Sequence, residues 1–336
     1  MKHSLKIVAI MLGMFLLTQL VGIAVIHAYT PKIQQVASEN NTVINATVYD
    51  LPYGTAPPEK IEPQYSFISI IIAFIVAILL IFFLMKFRAE LFLRLWFLFV
   101  ITLALGITIN AFLKPWPYSS LIAIIIALPL ALIKVFNRNM FVHNLTEVLV
   151  YPGIAAIFVP LLIIREKTGF PFNLLSGEII NKYFSILQFW PIITIFILIS
   201  AYDMWAVWHS GFMQQMAQYQ IKTLKVFSGF FIPYLGAKER ALVLKARESK
   251  SKKFNKKIKV NVAILGGGDV VFPIMLSGVV LWTSGLLPAI MISIGATIAL
   301  ALLFVFSKKG KFYPAMPFIT TGCFIALVLN YLLHLL

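Results

Sequence analysis

Charge is scarce in this 336-residue chain: Asp, Glu, Lys and Arg make up 12% of it, and only 12 residues are acidic. A water-soluble domain carries about 25% charged residues, so that class is excluded. Cysteine is nearly absent. Cys323 stands alone, which rules out an internal disulfide and a cysteine-built metal cage. The five histidines (His3, His27, His143, His209 and His334) are scattered, and no HExxH or other metal-ligand spacing occurs. There is no GxSxG, no Walker sequence and no internal repeat. No metal and no cofactor is expected.

Apolar residues are plentiful. They form 60% of the chain, and its mean hydropathy is +0.93. The chain is therefore expected to be an all-α polytopic membrane protein. Runs of the roughly 17–25 residues needed to span a bilayer fall at 5–28, 65–85, 92–113, 118–136, 141–164, 184–208, 261–283, 286–306 and 313–335. That gives nine transmembrane helices. Because only Ser284-Gly285 separates the seventh and eighth, a count of eight stays open. The first run follows Lys2 and Lys6 but exceeds the usual 7–15 residue core of a signal peptide. It is read as a retained helix.

The net charge of +16 does not call for nucleic acid. The basic residues lie between spans, where the positive-inside rule places them. With the N-terminus inside, only Lys32, Lys60, Lys114, Arg165, Lys167 and Lys182 of the 28 basic residues face out. The expected location is thus the cell membrane, with a cytoplasmic N-terminus and an extracytoplasmic C-terminus. Three parts are expected. Residues 1–209 form an N-terminal bundle with an extracytoplasmic loop at 30–64. Residues 210–259 form a cytoplasmic loop, partly disordered. Residues 260–336 form a C-terminal membrane segment. The outer loop carries sequons at Asn40-Asn41-Thr42 and Asn45-Ala46-Thr47. The start of the cytoplasmic loop, with Phe227, Phe230, Phe231 and Tyr234, reads as an amphipathic stretch on the membrane surface. The run Arg247 to Lys257 reads as a flexible basic linker.

Two acids lie deep in apolar runs. Ten others, Glu147 among them, are assigned to loops or span ends. Asp203 lies in the sixth span and Asp269 in the seventh. A carboxylate at the centre of a membrane helix costs roughly +2.5 to +3.5 kcal/mol on insertion scales, and such residues mark function by default. The two spans are consecutive and antiparallel. Counting at 1.5 Å per residue places the acids roughly 9 and 15 Å from the inner surface, so they can face each other. Close carboxylates in a low-dielectric site cannot both ionise easily; they share a proton and titrate as a unit. That is what hydrolysis of a peptide bond by two aspartates needs. Proton- or cation-coupled transport by the same acids is the alternative; a noncatalytic scaffold would not need both.

Three neighbouring features bear on the pair. Tyr202 can donate a phenolic hydrogen bond to it or to a substrate, or simply pack. Gly266-Gly267-Gly268 precedes Asp269. Such glycines let helices approach closely, or they loosen the helix and expose backbone that can hold an extended substrate, with Pro273 adding a local break. Finally, Pro314-Ala315-Met316-Pro317 opens the last span, and its two prolines leave Ala315 and Met316 outside regular helical hydrogen bonding.

These residues resemble a family. Tyr202-Asp203 resembles the YD motif, and Gly266-Gly267-Gly268-Asp269 the GxGD motif, of the presenilin and signal peptide peptidase family of intramembrane aspartyl proteases. Pro314-Ala315-Met316-Pro317 is similar to its PAL signature, with Met316 standing where the family has Leu. The motifs fall in order on spans six, seven and nine, and the chain looks like a prokaryotic presenilin homologue of archaeal kind. The resemblance implies a nine-helix presenilin-like bundle with Asp203 and Asp269 as the catalytic pair. It also implies that Gly266 and Gly268 shape the active-site backbone and that Pro314, Ala315 and Met316 position substrate. The implied partners are the lipid bilayer and transmembrane peptides or proteins, signal-peptide remnants included. Whether copies of the chain associate stays open.

Overall fold

The computed structural model describes residues 5–37, 43–48, 50–54, 90–136, 139–163, 189–210, 228–234, 261–307 and 313–335, with six single positions between 72 and 83. Eight described helices are long and apolar enough to cross a membrane. They are α1 (Leu5–Ala28), α2 (Glu90–Leu113), α3 (Ser119–Phe136), α4 (Met140–Leu162), α5 (Trp190–Trp205, its span carried on to Trp208 by a π-helical turn that starts at Ala206), α6 (Gly267–Ser284), α7 (Leu286–Phe306) and α8 (Met316–Leu335). The expected second span shows helix at its described positions Ile72, Ile75, Val76, Leu79, Leu80 and Phe83, and all six are exposed. The open question between α6 and α7 closes at Gly285, whose φ of 100° ends one helix and starts the next. Few residues but glycine reach that conformation at no cost.

Two antiparallel strand pairs complete the described structure. β1 (Lys32–Ala37) pairs with β2 (Val43–Val48), so the second sequon lies in a strand. β3 (Gly229–Tyr234) pairs with β4 (Asn261–Gly266). This second pair corrects two sequence expectations. The seventh span does not start at 261: residues 261–266 are extended, and the helix begins at Gly267. The stretch around Phe230 is no surface amphipath either, because Phe230 is fully buried and packs edge-on to Tyr151. A short apolar run bounded by glycine reads alike as strand or as buried helix; pairing with a distant partner decides it. The basic run at 247–257 lies outside the described residues.

The core sits where α1, α4 and α6 meet. α1 contributes Met11, Phe15, Ile23 and Ile26, α4 contributes Tyr151, Ala155 and Val159, and α6 contributes Val270, Ile274 and Leu276. Small residues allow the close approach that drives packing in lipid. A Cβ on Gly278 of α6 would lie 2.6 Å from both Ile26 and Val159. In the same way α7 and α8 approach through Gly295 and Gly322. A few polar contacts fix rotation: Ser277 Oγ to Ser293 Oγ at 3.0 Å links α6 to α7. At the far end of α1, the buried Tyr29 hydroxyl donates to the carbonyl of Ile107 at 2.8 Å and accepts from Asn110 Nδ2 at 3.1 Å.

Candidate active site

The site is assembled from the ends of α5, β4, α6 and α8. α5 and α8 run antiparallel and touch once per turn. Phe196 meets Phe324 at 6.0 Å between ring centroids, and Ser200 Oγ lies 2.7 Å from Thr320 Oγ1. One turn further, the backbone N–H of Met316 donates to Asp203 Oδ2 at 3.1 Å, and the amide of Ala315 also faces that carboxylate. Asp203 is buried, with 7% of its surface exposed. α8 starts at Met316 because Pro314 and Pro317 bracket the turn. The amides that a longer helix would have used internally are therefore free to meet Asp203.

Asp269 is presented by a different device. It is the third residue of α6, whose N-cap is Gly266 in extended conformation. Its side chain turns back toward the backbone of Gly266, and a Cβ on that glycine would lie 3.2 Å from Asp269 Oδ2. An acid at this position that reaches the N-cap amide is half of a capping box, and the positive end of the helix favours its charge. The expected break at Pro273 does not occur. The helix runs on to Ser284, and Pro273 only withholds the N–H that the carbonyl of Asp269 would otherwise receive. The depth estimate for Asp269 changes accordingly, since the residues before Gly267 rise at about 3.3 Å each rather than 1.5 Å.

Asp203 and Asp269 lie within electrostatic reach of each other. The rings bridge the same elements: Phe196 of α5 contacts Phe272 of α6 at 6.1 Å and Phe324 of α8 at 6.0 Å. α1 supports α6 from behind, where buried Gln19 donates from Nε2 to the carbonyl of Val270 at 3.0 Å.

The other expected site residues divide. Pro314 and Met316 are buried beside Asp203, and Ala315 is half-buried. Gly266 adjoins Asp269, whereas Gly268 is exposed. Tyr202 tilts against Trp205 at 6.4 Å, and its hydroxyl makes no hydrogen bond to either aspartate.

Sequence reasoning missed a third acid inside the bundle. Glu147 is not a span-end residue in contact with water. It is fully buried in α4, with Oε1 2.7 Å from Lys134 Nζ of α3. The available signal was that opposite charges stand near the joined ends of two consecutive spans. Gly267, named in the glycine run but given no role of its own, packs against Ser228 and Tyr151.

Known proteins bear on this arrangement in two ways. The family model for signal-peptide peptidase, presenilin aspartyl protease, matches residues 172–335, the part that carries all three motifs. Among curated proteins, no sequence matches. Two solved structures share the fold, both of a presenilin family intramembrane aspartate protease, one in space group C222 and one in P2. The first has a TM-score of 0.54 at 17% identity, covering 97% of this chain and 99% of that one. The second has a TM-score of 0.53 at 17% identity, covering 96% of each. Neither comparison supports the transporter reading. With the motifs gathered at one site, residues 172–335 match the presenilin and signal peptide peptidase family of aspartyl proteases, and the bundle along its length is similar in fold to a presenilin family intramembrane aspartate protease.

Proposed function

We propose that Asp203 and Asp269 are the catalytic pair of this protease and hydrolyse peptide bonds within transmembrane segments. One observation carries the assignment. The only two acids deep in their spans by sequence come from α5 and α6, lie within electrostatic reach, and are each oriented by backbone at an irregular helix start. One carboxylate takes a proton from water while the other protonates the substrate carbonyl oxygen, and the roles reverse as the amine leaves. The amides of Ala315 and Met316 hold Asp203 at the place where this exchange occurs.

The strand pair supplies the substrate's backbone partner. Peptide bonds in a helix are shielded, so a transmembrane substrate must be extended before attack. On β3, the N–H and C=O groups of Gly229 and Phe231 point away from β4 and are met by side chains of α4. The alternation of an antiparallel ladder then turns Val262, Ile264 and Gly266 of β4 outward. Among the described residues no strand covers that edge. It leads into Asp269 and suits an added extended segment.

The charge distribution favours a cytoplasmic N-terminus and an extracytoplasmic C-terminus. The catalytic assignment is tested on purified protein with a fluorogenic transmembrane peptide. Asp203→Asn and Asp269→Asn are each expected to lower kcat by at least ~1,000-fold, within the range of acid–base contributions. Cleavage that persists in either variant would overturn the pair.

A further inference from the structure

Glu147 lies outside the reacting pair, yet its surroundings connect it to Asp269. It is a charged residue with no exposed side-chain surface. Isolated burial of a carboxylate is strongly unfavourable, and here Lys134, itself 2% exposed, answers it at 2.7 Å. Such a pair is weak evidence for stability, because well-packed apolar residues often serve as well or better. Its presence calls for another use.

That use is visible in what Glu147 holds. The same oxygen that meets Lys134 accepts the backbone N–H of Gly229 at 3.3 Å. One turn earlier on α4, His143 Nε2 lies 2.9 Å from the carbonyl of Gly229. Asn144 then clasps Phe231 in both directions, donating from Nδ2 to its carbonyl at 2.7 Å and accepting its N–H on Oδ1 at 2.9 Å. One face of α4 thus replaces a third strand along β3. The residue before Gly229 completes the link. The carbonyl of Ser228 accepts the N–H of Gly267 at 3.3 Å, and Gly267 is the first residue of the helix that presents Asp269 two positions later. Gly267 has no room to drift inward, since a Cβ there would lie 2.7 Å from Ser228 Oγ and 2.9 Å from Tyr151 Oη.

Resting on the reading of Asp269 as catalytic, we infer that Glu147, held by Lys134, is a positioning residue that fixes the start of α6, and with it Asp269, through Gly229, Ser228 and Gly267. Glu147 touches no reacting atom. Its contribution is to clamp the strand that pins the first turn of the catalytic helix.

The test separates the clamp from the charge. Lys134→Met/Glu147→Gln removes both charges and keeps an oxygen for the Gly229 amide. Lys134→Met/Glu147→Leu removes both charges and the acceptor as well. Both are made in the full chain, purified in detergent, and assayed with a fluorogenic transmembrane peptide and by backbone amide exchange. The Gln variant is expected to keep kcat within about threefold of wild type. The Leu variant is expected to lose ~100-fold in kcat at nearly constant KM, the scale of a 1 Å misplacement, with faster exchange at Gly229 and Gly267. Glu147→Asp keeps the charge but shortens the reach, and is expected to lose ~10-fold in kcat on the same reasoning. Wild-type kcat in the Leu double or in Glu147→Asp, or equal loss in the two doubles, would overturn the inference. Cleavage surviving in Asp269→Asn would instead remove the catalytic assignment, and the exchange comparison would still test the clamp.

Discussion

The three glycines before Asp269 are alike in sequence and unlike in place. Gly267 faces Ser228 and Tyr151 with no space for a methyl group, whereas at Gly268 the nearest atom to an added Cβ is in the Phe272 ring at an ordinary 3.7 Å. Gly267→Ala is therefore expected to destabilise the fold by ~1–3 kcal/mol, as overpacking does. Gly268→Ala should leave the melting temperature unchanged or raise it, because alanine favours a helix by about 1 kcal/mol over glycine. Thermal unfolding of the two variants in detergent checks this, and equal melting points would contradict it. The run of glycines was plain in the sequence, but which glycine carries the close contact was not, since that depends on Tyr151, more than 100 residues away. Tyr29 gives a second test at this scale. Burial pushes its phenol up from 10.0 to about 12. The folded state thus favours the protonated hydroxyl, whose contribution is whole below pH 10 and is lost as pH rises from 10 toward 12. The stability gap between wild type and Tyr29→Phe should shrink over that interval, as followed by thermal unfolding at each pH.

At the scale of elements, helices were the legible part. α1 and α7 fall on the expected boundaries, and the others shift by a few residues at their ends. The strand pair was not legible. Asn261 to Leu265 carries the apolar character of a membrane helix, and only its pairing with β3 makes it extended. The consequence is an open edge on β4 beside Asp269. Proline at Ile264 would remove an N–H that faces this edge and spare the ladder to β3, a position where strands accept proline. Ile264→Pro is expected to raise KM for a transmembrane peptide about tenfold, the worth of one hydrogen bond of ~1.4 kcal/mol, with little change in melting temperature. Unchanged KM would argue against substrate pairing at this edge. Pro233 obeys the same rule on β3, where its side of the strand faces away from β4.

Over the whole molecule, orientation follows from charge. By the positive-inside rule the basic residues favour a cytoplasmic side for the segment between α5 and β4 and for the N-terminus, the orientation proposed above. In that proposed orientation, substrates whose N-terminus lies outside are expected to be preferred. Labelled substrates of both orientations, reconstituted with the protein in vesicles, should show preferential cleavage of that class, and selective cleavage of the opposite class would reverse the assignment. The bundle itself explains how a split site is held together. α1 and α4 back α6, and α8 fastens α5 by contacts one turn apart. Each aspartate is thereby fixed to a separate helix of the bundle.

By itself the sequence determined the membrane class, nearly all span positions and the identity of the two deep acids. Those follow from local quantities: run length, hydropathy and the cost of a carboxylate in lipid. The tertiary structure alone decided the rest. It turned the first quarter of an apolar run into a strand, moved Asp269 to a helix start and set the Met316 amide on Asp203. It also buried Glu147 against Lys134. Each of these depends on a partner far along the chain. Hydropathy registers how apolar a segment is, not which distant backbone or charge will satisfy it.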